Sequence, residues 1–383
     1  MAGHDPGVRA EVGVLTPDAP LRVRPLGPAV GFSSLEQQLT TYVCYAHVFG
    51  DALTFEELVS RSGHPPERVR ATLDTLVRSG GVAEEDGFYL LPGRSGADHV
   101  TRRAARQALA EQILAENRRF LTMVSGLPFV RVVAVSGSVA VGNPIPTGER
   151  APDCDLFIIT ADHSLHIVRL VVRLLARIGE RLPWLGLVSG THRPCANYFL
   201  EESVAEIENE SLYTATEAML VRVLKGHDAY QAFLRRNPWI GRYYAAASPA
   251  PIEDVNGRLG RSNRILALVK RTVNLACFAV LAARLGLRTV LLGVPFSYSV
   301  KPNLQRDVSL RRARPAAGGY QALVRKRFAE LYRAHFSHHC SEEYLEYLFP
   351  RTRDNGIMFN GRLFEPSAQL SLSHYDGLLP TGR

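Results

Sequence analysis

Two near-continuous apolar runs constrain this chain more than any other feature. Phe129-Val-Arg-Val-Val-Ala-Val135 and Asp155-Leu-Phe-Ile-Ile-Thr160 lack polar alternation. A strand of that kind must be covered on both faces, as in a sheet packed between helices. A helical stretch follows from Ser164 to Arg181, and Pro194 to Leu200 reads as another strand. This alternation predicts an α/β unit over about residues 125–205. The first strand ends in Ser136-Gly137-Ser138, and the second is led in by Asp153-Cys154-Asp155 after a Gly/Pro-rich loop.

The flanks read differently. Residues 1–30 are Gly/Pro/Ala-rich with scattered charges and no apolar core, so a flexible leader is expected and a secretory signal is not. From Ser34 the apolar residues Leu35, Leu39, Tyr42, Val43 and Ala46 fall at helical spacing. Thr54-Phe-Glu-Glu57 is a capping box opening a short helix. Glu67 to Ser79 is amphipathic and stops at Gly80-Gly81. Val82 to Leu91, turning at Asp86-Gly87, is a hairpin. Three helices and a two-stranded wing predict a winged helix-turn-helix over 34–95. A single linking helix is expected from Thr101 to Val124, and a mostly helical region over 211–383 with loops at 245–262 and 299–319.

The chemistry concentrates at the two strand ends. Small residues at Gly137 and Ser138 let backbone amides approach a phosphate, and the serine hydroxyl adds a hydrogen bond. Carboxylates at i and i+2 on an extended segment, Asp153 and Asp155, point the same way. They suit Mg²⁺ (or Mn²⁺), which takes a couple of carboxylates together with substrate phosphates and water. Each half alone is also found as an ordinary turn or a solvated strand lead-in.

Together these residues resemble the polymerase-beta-type nucleotidyltransferase superfamily. The stretches "PFVRVVAVSGSVA", "DCDLFIIT", "CANYFLEES", "SLYTATEA" and "FLRRNPWI" extend the resemblance, over about residues 34–240, to bacterial winged-helix proteins carrying a nucleotidyltransferase domain of unassigned acceptor. The resemblance implies a mixed sheet with packed helices, read here as a core over residues 100–210, and the mostly helical 211–383 is expected to form the acceptor-side domain. It implies transfer of a nucleoside monophosphate from an NTP to a hydroxyl or phosphate acceptor, with release of pyrophosphate. Gly137 and Ser138 would then hold the triphosphate, and Asp153 and Asp155 the metal. Two departures stand out. The loop between Ser138 and Asp153 is long for the superfamily. The strand expected to carry a third carboxylate offers Asn197 instead, and an amide ligates a metal but takes no proton. Glu201, or Glu202 beside it, is the candidate base, and Arg193 and Asn197 are candidate nucleotide contacts. The acceptor is expected to be a small molecule, with nucleic acid and a homodimeric partner also open. The rival reading is a winged-helix DNA-binding regulator whose nucleotidyltransferase-like domain only senses a nucleotide. A third is a toxin-like enzyme that adds nucleotides to RNA or protein.

Charge adds weaker signals. The net charge is +8, and all but four of the 45 basic residues are arginine, the side chain that grips phosphate bidentately. Arg169, Arg173, Arg177 and Arg181 share one helical stripe, either an anion track or a solvated face. Arg68, Arg70 and Arg78 lie on the would-be recognition helix, which serves DNA or protein docking. Arg131 and His192 flank strands and offer the same two readings as Arg193. His335, His338, His339 and Cys340 are close enough in sequence for zinc, or an incidental cluster. Cys154 should point into the core, opposite the aspartates. Tyr198, Phe199, Tyr213, Trp239, Tyr243 and Tyr244 read as core or interface aromatics. Five scattered cysteines with no CxxC suggest a reducing cytoplasm. Leu165–Val188 and Val273–Val294 are too charged to cross a membrane.

Overall fold

Six short elements occupy the N-terminal segment. Helix α1 (Leu35–Val48) is followed by β1 (Leu53–Thr54), α2 (Phe55–Ser62), α3 (Pro66–Arg78), β2 (Ala83–Glu85) and β3 (Phe88–Leu90). A computed structural model describes residues 32–93, 96–144, 151–188, 190–207, 210–244, 264–292, 305–308, 312–317, 320–336, 340–350, 358–359 and 362–363. The expected leader, His338 and His339, and the loop at 245–262 lie outside the described residues. The capping box at Thr54 forms as the sequence predicts, with Thr54 Oγ1 accepting from the Glu57 amide and Glu57 Oε2 accepting from the Thr54 amide. The strands form an antiparallel sheet in the order β1-β3-β2.

The linking helix divides in two, α4 (Gly96–Glu116) and α5 (Arg118–Gly126). Asn117 sits at the break, fully buried, with its amide donating to the carbonyls of Ile113 and His192. That amide bonds the backbone of a distant loop, and helical periodicity carries no trace of such a contact.

Next come β4 (Val130–Ser136), the single turn α6 (Gly137–Ala140), β5 (Cys154–Thr160), α7 (Leu165–Arg181) and β6 (Pro194–Glu201). Beyond them lie α8 (Leu212–Met219), β7 (Arg222–Lys225), α9 (His227–Arg236), α10 (Arg264–Leu292), β8 (Gln305–Val308), β9 (Arg312–Ala317), α11 (Tyr320–His335), α12 (Glu342–Leu348), β10 (Met358–Phe359) and β11 (Arg362–Leu363). The large sheet runs β7-β4-β5-β6-β9-β8, with β5 and β6 parallel and its other neighbours antiparallel.

The chain is thus mixed α/β, and two expectations need correction. The boundary at residue 210 cuts through the sheet, because β7, β8 and β9 all come from beyond it. The stretch 299–319, expected to be loop, contains β8 and β9. Their sequences, QRDV and RARPAA, carry no apolar run. They form strands by pairing on the edge of β6, a tertiary cause that local sequence does not carry.

The sheet has a core on each face. Val133, Val135, Cys154, Leu156 and Ile158 pack with α4, α5 and α7. Val132, Ala134, Phe157, Ile159 and Leu200 face the other way, into a core shared with α1, α2, α3, α8, α9, α11 and α12. Cys154 is therefore in the first core, as its alternation predicts. Helix α1 is buried along almost its whole length, so the N-terminal segment shares its core with the C-terminal helices. Trp239, Tyr243 and Tyr244 are buried in that core as expected. No helix among the described residues is long and apolar enough to cross a membrane.

Candidate functional site

Strand pairing brings the sequence-predicted residues to one end of the sheet. Ser136, the last residue of β4, pairs with Asp155 near the start of β5, and Asp155 pairs with Cys195 near the start of β6. Strand alternation puts these three side chains on the face covered by α1 and α8. Gly137 follows with φ +68°, a left-handed conformation that favours glycine. A Cβ there would stand 3.1 Å from Asp155 Oδ2. The glycine therefore lets the backbone turn directly against the carboxylate. Ser138 is partly exposed, and its carbonyl accepts from the Asn143 amide, which closes the turn. Asn143 is anchored in turn, donating to the Phe49 carbonyl and accepting from Arg106 at 2.6 Å.

Asp155 is partly buried, and Asp153 beside it is exposed. Burial, then the charges of Glu217 and Asp153, push the Asp155 carboxyl up to about 7, and a hydrogen bond from Cys195 opposes the shift. The Cys195 thiol is itself pushed up to about 12 by burial and the two aspartates, with the Arg173 guanidinium working the other way. It is a hydrogen-bond donor at neutral pH, not a thiolate.

A third carboxylate acts on Asp155 through its charge: Glu217, which the sequence reading did not single out. It stands on α8, whose N-terminus is capped by Ser211 accepting from the Thr214 amide. Tyr45 of α1 also feels the Glu217 charge and hydrogen-bonds Thr216, which bonds Tyr244 at 2.6 Å. The available signal was its isolation: Glu217 is the single charged residue in LYTATEAM.

Glu201 does not join the site. It pairs with Thr160, five residues along β5 from Asp155. At about 3.3 Å per residue the two levels are roughly 17 Å apart. Glu201 is completely buried at the far end of the sheet. Glu202, next to it, stands 3.4 Å from Arg131. The reason for the error is strand length: β6 runs from the Asp155 level to the opposite rim.

The remaining candidates separate. Asn197 is the extra residue in β6 where the register with β5 shifts, and its side chain lies outside the described residues. Arg193 is at the correct end, and its carbonyl accepts from the Cys154 amide. Its side chain is exposed and 3.8 Å from Glu180. His192 is buried against Glu116 at 2.7 Å. Burial acts to raise the Glu116 carboxyl, but hydrogen bonds from His192 and Gln112 together with the His192 charge outweigh it and hold the group low. The arginine stripe is not one face: Arg169 is buried, while Arg173, Arg177 and Arg181 are exposed. On α3, Arg70 bonds Tyr89 at 2.6 Å and covers the Phe55 ring, and Arg78 folds back onto Asp74 and Thr75.

Among the described residues no group of three or more His, Cys, Asp and Glu side chains is placed to hold a metal ion by itself. The chemistry of the donor set still suits Mg²⁺ or Mn²⁺. Asp153 lies two residues before Asp155 and its charge acts on it, and a divalent cation there would relieve the crowding on Asp155. Comparison with family models, curated proteins and solved structures gives no match to this chain.

Proposed function

We propose that the protein is a nucleotidyltransferase that moves a nucleoside monophosphate from an NTP to an acceptor hydroxyl. The observation that carries the reading is the approach of Gly137 to Asp155, with the Asp155 carboxyl raised to about 7 beside Asp153 and Glu217. A backbone turn for phosphate and a crowded pair of carboxylates for a cation meet at one sheet end. In this reading 35–90 is a winged helix and the large sheet is the polymerase-beta-type core that the motifs resemble.

Asp153 and Asp155 would hold Mg²⁺ or Mn²⁺. When bound, the ion supplies positive charge to the triphosphate and acidifies the acceptor hydroxyl. The Gly137 amide and the Ser138 hydroxyl hold phosphate oxygens. The acceptor oxygen attacks the α-phosphorus, the bond to the bridging oxygen breaks, and pyrophosphate leaves with that electron pair. The hydroxyl proton passes to Glu217, which replaces Glu201 in the role of base. The DNA-binding regulator draws less support, because Arg70 and Arg78 make contacts within their own segment.

Calorimetric titration of each NTP, with and without Mg²⁺, tests the reading. Wild type should bind an NTP only with the metal, and Asp153→Ala/Asp155→Ala should lose that binding. A folded double variant that binds as wild type does would refute it.

A further inference from the structure

We infer that the acceptor is a single-stranded polynucleotide, held on a shelf of arginines around Trp184; this rests on the nucleotidyltransferase reading. The shelf is placed by topology. Strands β5 and β6 are parallel, so α7 between them runs back and its C-terminal half returns to the end where Asp155 lies. Helix α5 leads into β4, which is antiparallel to β5. The start of α5 therefore lies at that same end. Arg177 and Arg181 of α7 and Arg118 and Arg119 of α5 are all exposed there. Arg173, one turn earlier on α7, is exposed as well.

Trp184 stands among these arginines, three residues after Arg181. At 79% exposure it is the most exposed large hydrophobic side chain among the described residues. Its loop is not loose. Arg119 donates to the Leu185 carbonyl, Val188 packs against Gly179 of α7, and His192 bonds Glu116. A tied-down loop that presents an indole to water forgoes the burial that aromatic side chains ordinarily gain. An exposed aromatic face bracketed by guanidinium groups is what base stacking and phosphate contact require together. Duplex DNA hides its base faces, and an acidic protein offers none. The acids here are engaged, Glu180 beside Arg193 and Glu116 with His192.

Fluorescence titration with short oligouridylate and oligothymidylate, without NTP, tests the shelf. A matched duplex and polyglutamate are run in parallel. Single strands, RNA or DNA or both, should bind more tightly than the duplex, with log affinity falling against log salt at a slope of about −2 to −3 for three or four phosphates. Indole emission should quench; the other tryptophan, Trp239, is buried. Trp184→Ala should weaken binding about tenfold or more, and Trp184→Phe should restore most of it. Arg177→Glu/Arg181→Glu should abolish it. No single-strand binding, equal binding of polyglutamate or duplex, or an unaffected Trp184→Ala would each overturn the proposal. Incubation of the bound strand with labelled NTPs then separates the two readings. Transfer to the strand supports the inference. Metal-dependent NTP binding without transfer rejects the strand as acceptor and leaves the enzyme intact. No NTP binding at all rejects the enzyme, and with it the acceptor.

Discussion

Replacing Asp155 with asparagine should stabilise this protein, and only above a definite pH. The Asp155 carboxyl sits at about 7 in the fold against an ordinary value of 3.8, through burial first and then the Glu217 and Asp153 charges. In the unfolded chain those causes vanish. Below about pH 4 the group is protonated in both states and imposes no penalty. Between about pH 4 and 7 the unfolded chain ionises while the folded one holds its proton, so stability falls as pH rises. Above about 7 the penalty is complete. That gap in pKa corresponds to ~4 kcal/mol as an upper bound. Because Asp155 is only partly buried, about 2–4 kcal/mol is the expected gain for Asp155→Asn at pH 8.5. The amide oxygen can still accept from Cys195. Urea denaturation at pH 3 and pH 8.5 reads the difference: near zero at the lower pH, where both states are protonated, and the full gain at the higher. A variant whose stability difference is the same at both pH values would refute the charge-crowding argument. Metal-dependent NTP binding should be lost in the same variant, so the site would exchange function for stability.

Three other substitutions probe separate links. Glu217→Gln should cut transfer by about 100-fold or more while leaving NTP affinity nearly unchanged, as removal of a base should; a parallel loss of NTP binding in calorimetry would count against that role. Gly226 has φ +78°, and a Cβ there would run into the Arg131 carbonyl. Gly226→Ala should cost about 3 kcal/mol or more through strain and collision, visible as a fall in denaturation midpoint; a neutral result would mean that β7 is not held against β4 as described. Asn274 of α10 accepts from the His166 and Ile167 amides and so caps α7 from a neighbouring helix. Asn274→Ala should cost about 1–3 kcal/mol, and amide exchange should quicken at the first turn of α7 if that cap matters.

The parts of the fold legible in the sequence were those set by local pattern. The apolar runs at 130–136 and 154–160, the capping box at Thr54, and the amphipathic helix at 66–78 needed no tertiary information. The juxtaposition of Gly137 with Asp155 followed once two adjacent strands were assumed. What the pattern could not supply was pairing. Strands β7, β8 and β9 lack a long apolar run, and they exist because β4 and β6 offer unpaired edges. Glu201 was misplaced for a related reason: closeness in sequence to β6 says nothing about which rim of the sheet a residue reaches. Glu217 carries no local signal of that proximity because only the tertiary fold brings it, more than sixty residues beyond the aspartates, within charge range of Asp155.

Opposite charges gather at one end of the sheet because a single connection delivers both. Strand β5 starts with the aspartates on one face, and the α7 return brings Arg177 and Arg181 to the same rim on the other face. The two groups do not neutralise each other, since the sheet stands between them. Arg177 and Arg181 form none of the ion pairs seen among the described residues, and Asp155 remains raised rather than lowered. Had the arginines been positioned to pair with the aspartates, Asp155 would sit below 3.8, as Asp51 does where His99 and Arg103 overcome its burial. The contrast between Asp51 and Asp155 within one chain separates a carboxylate placed for structure from one whose charge is left for something else to balance.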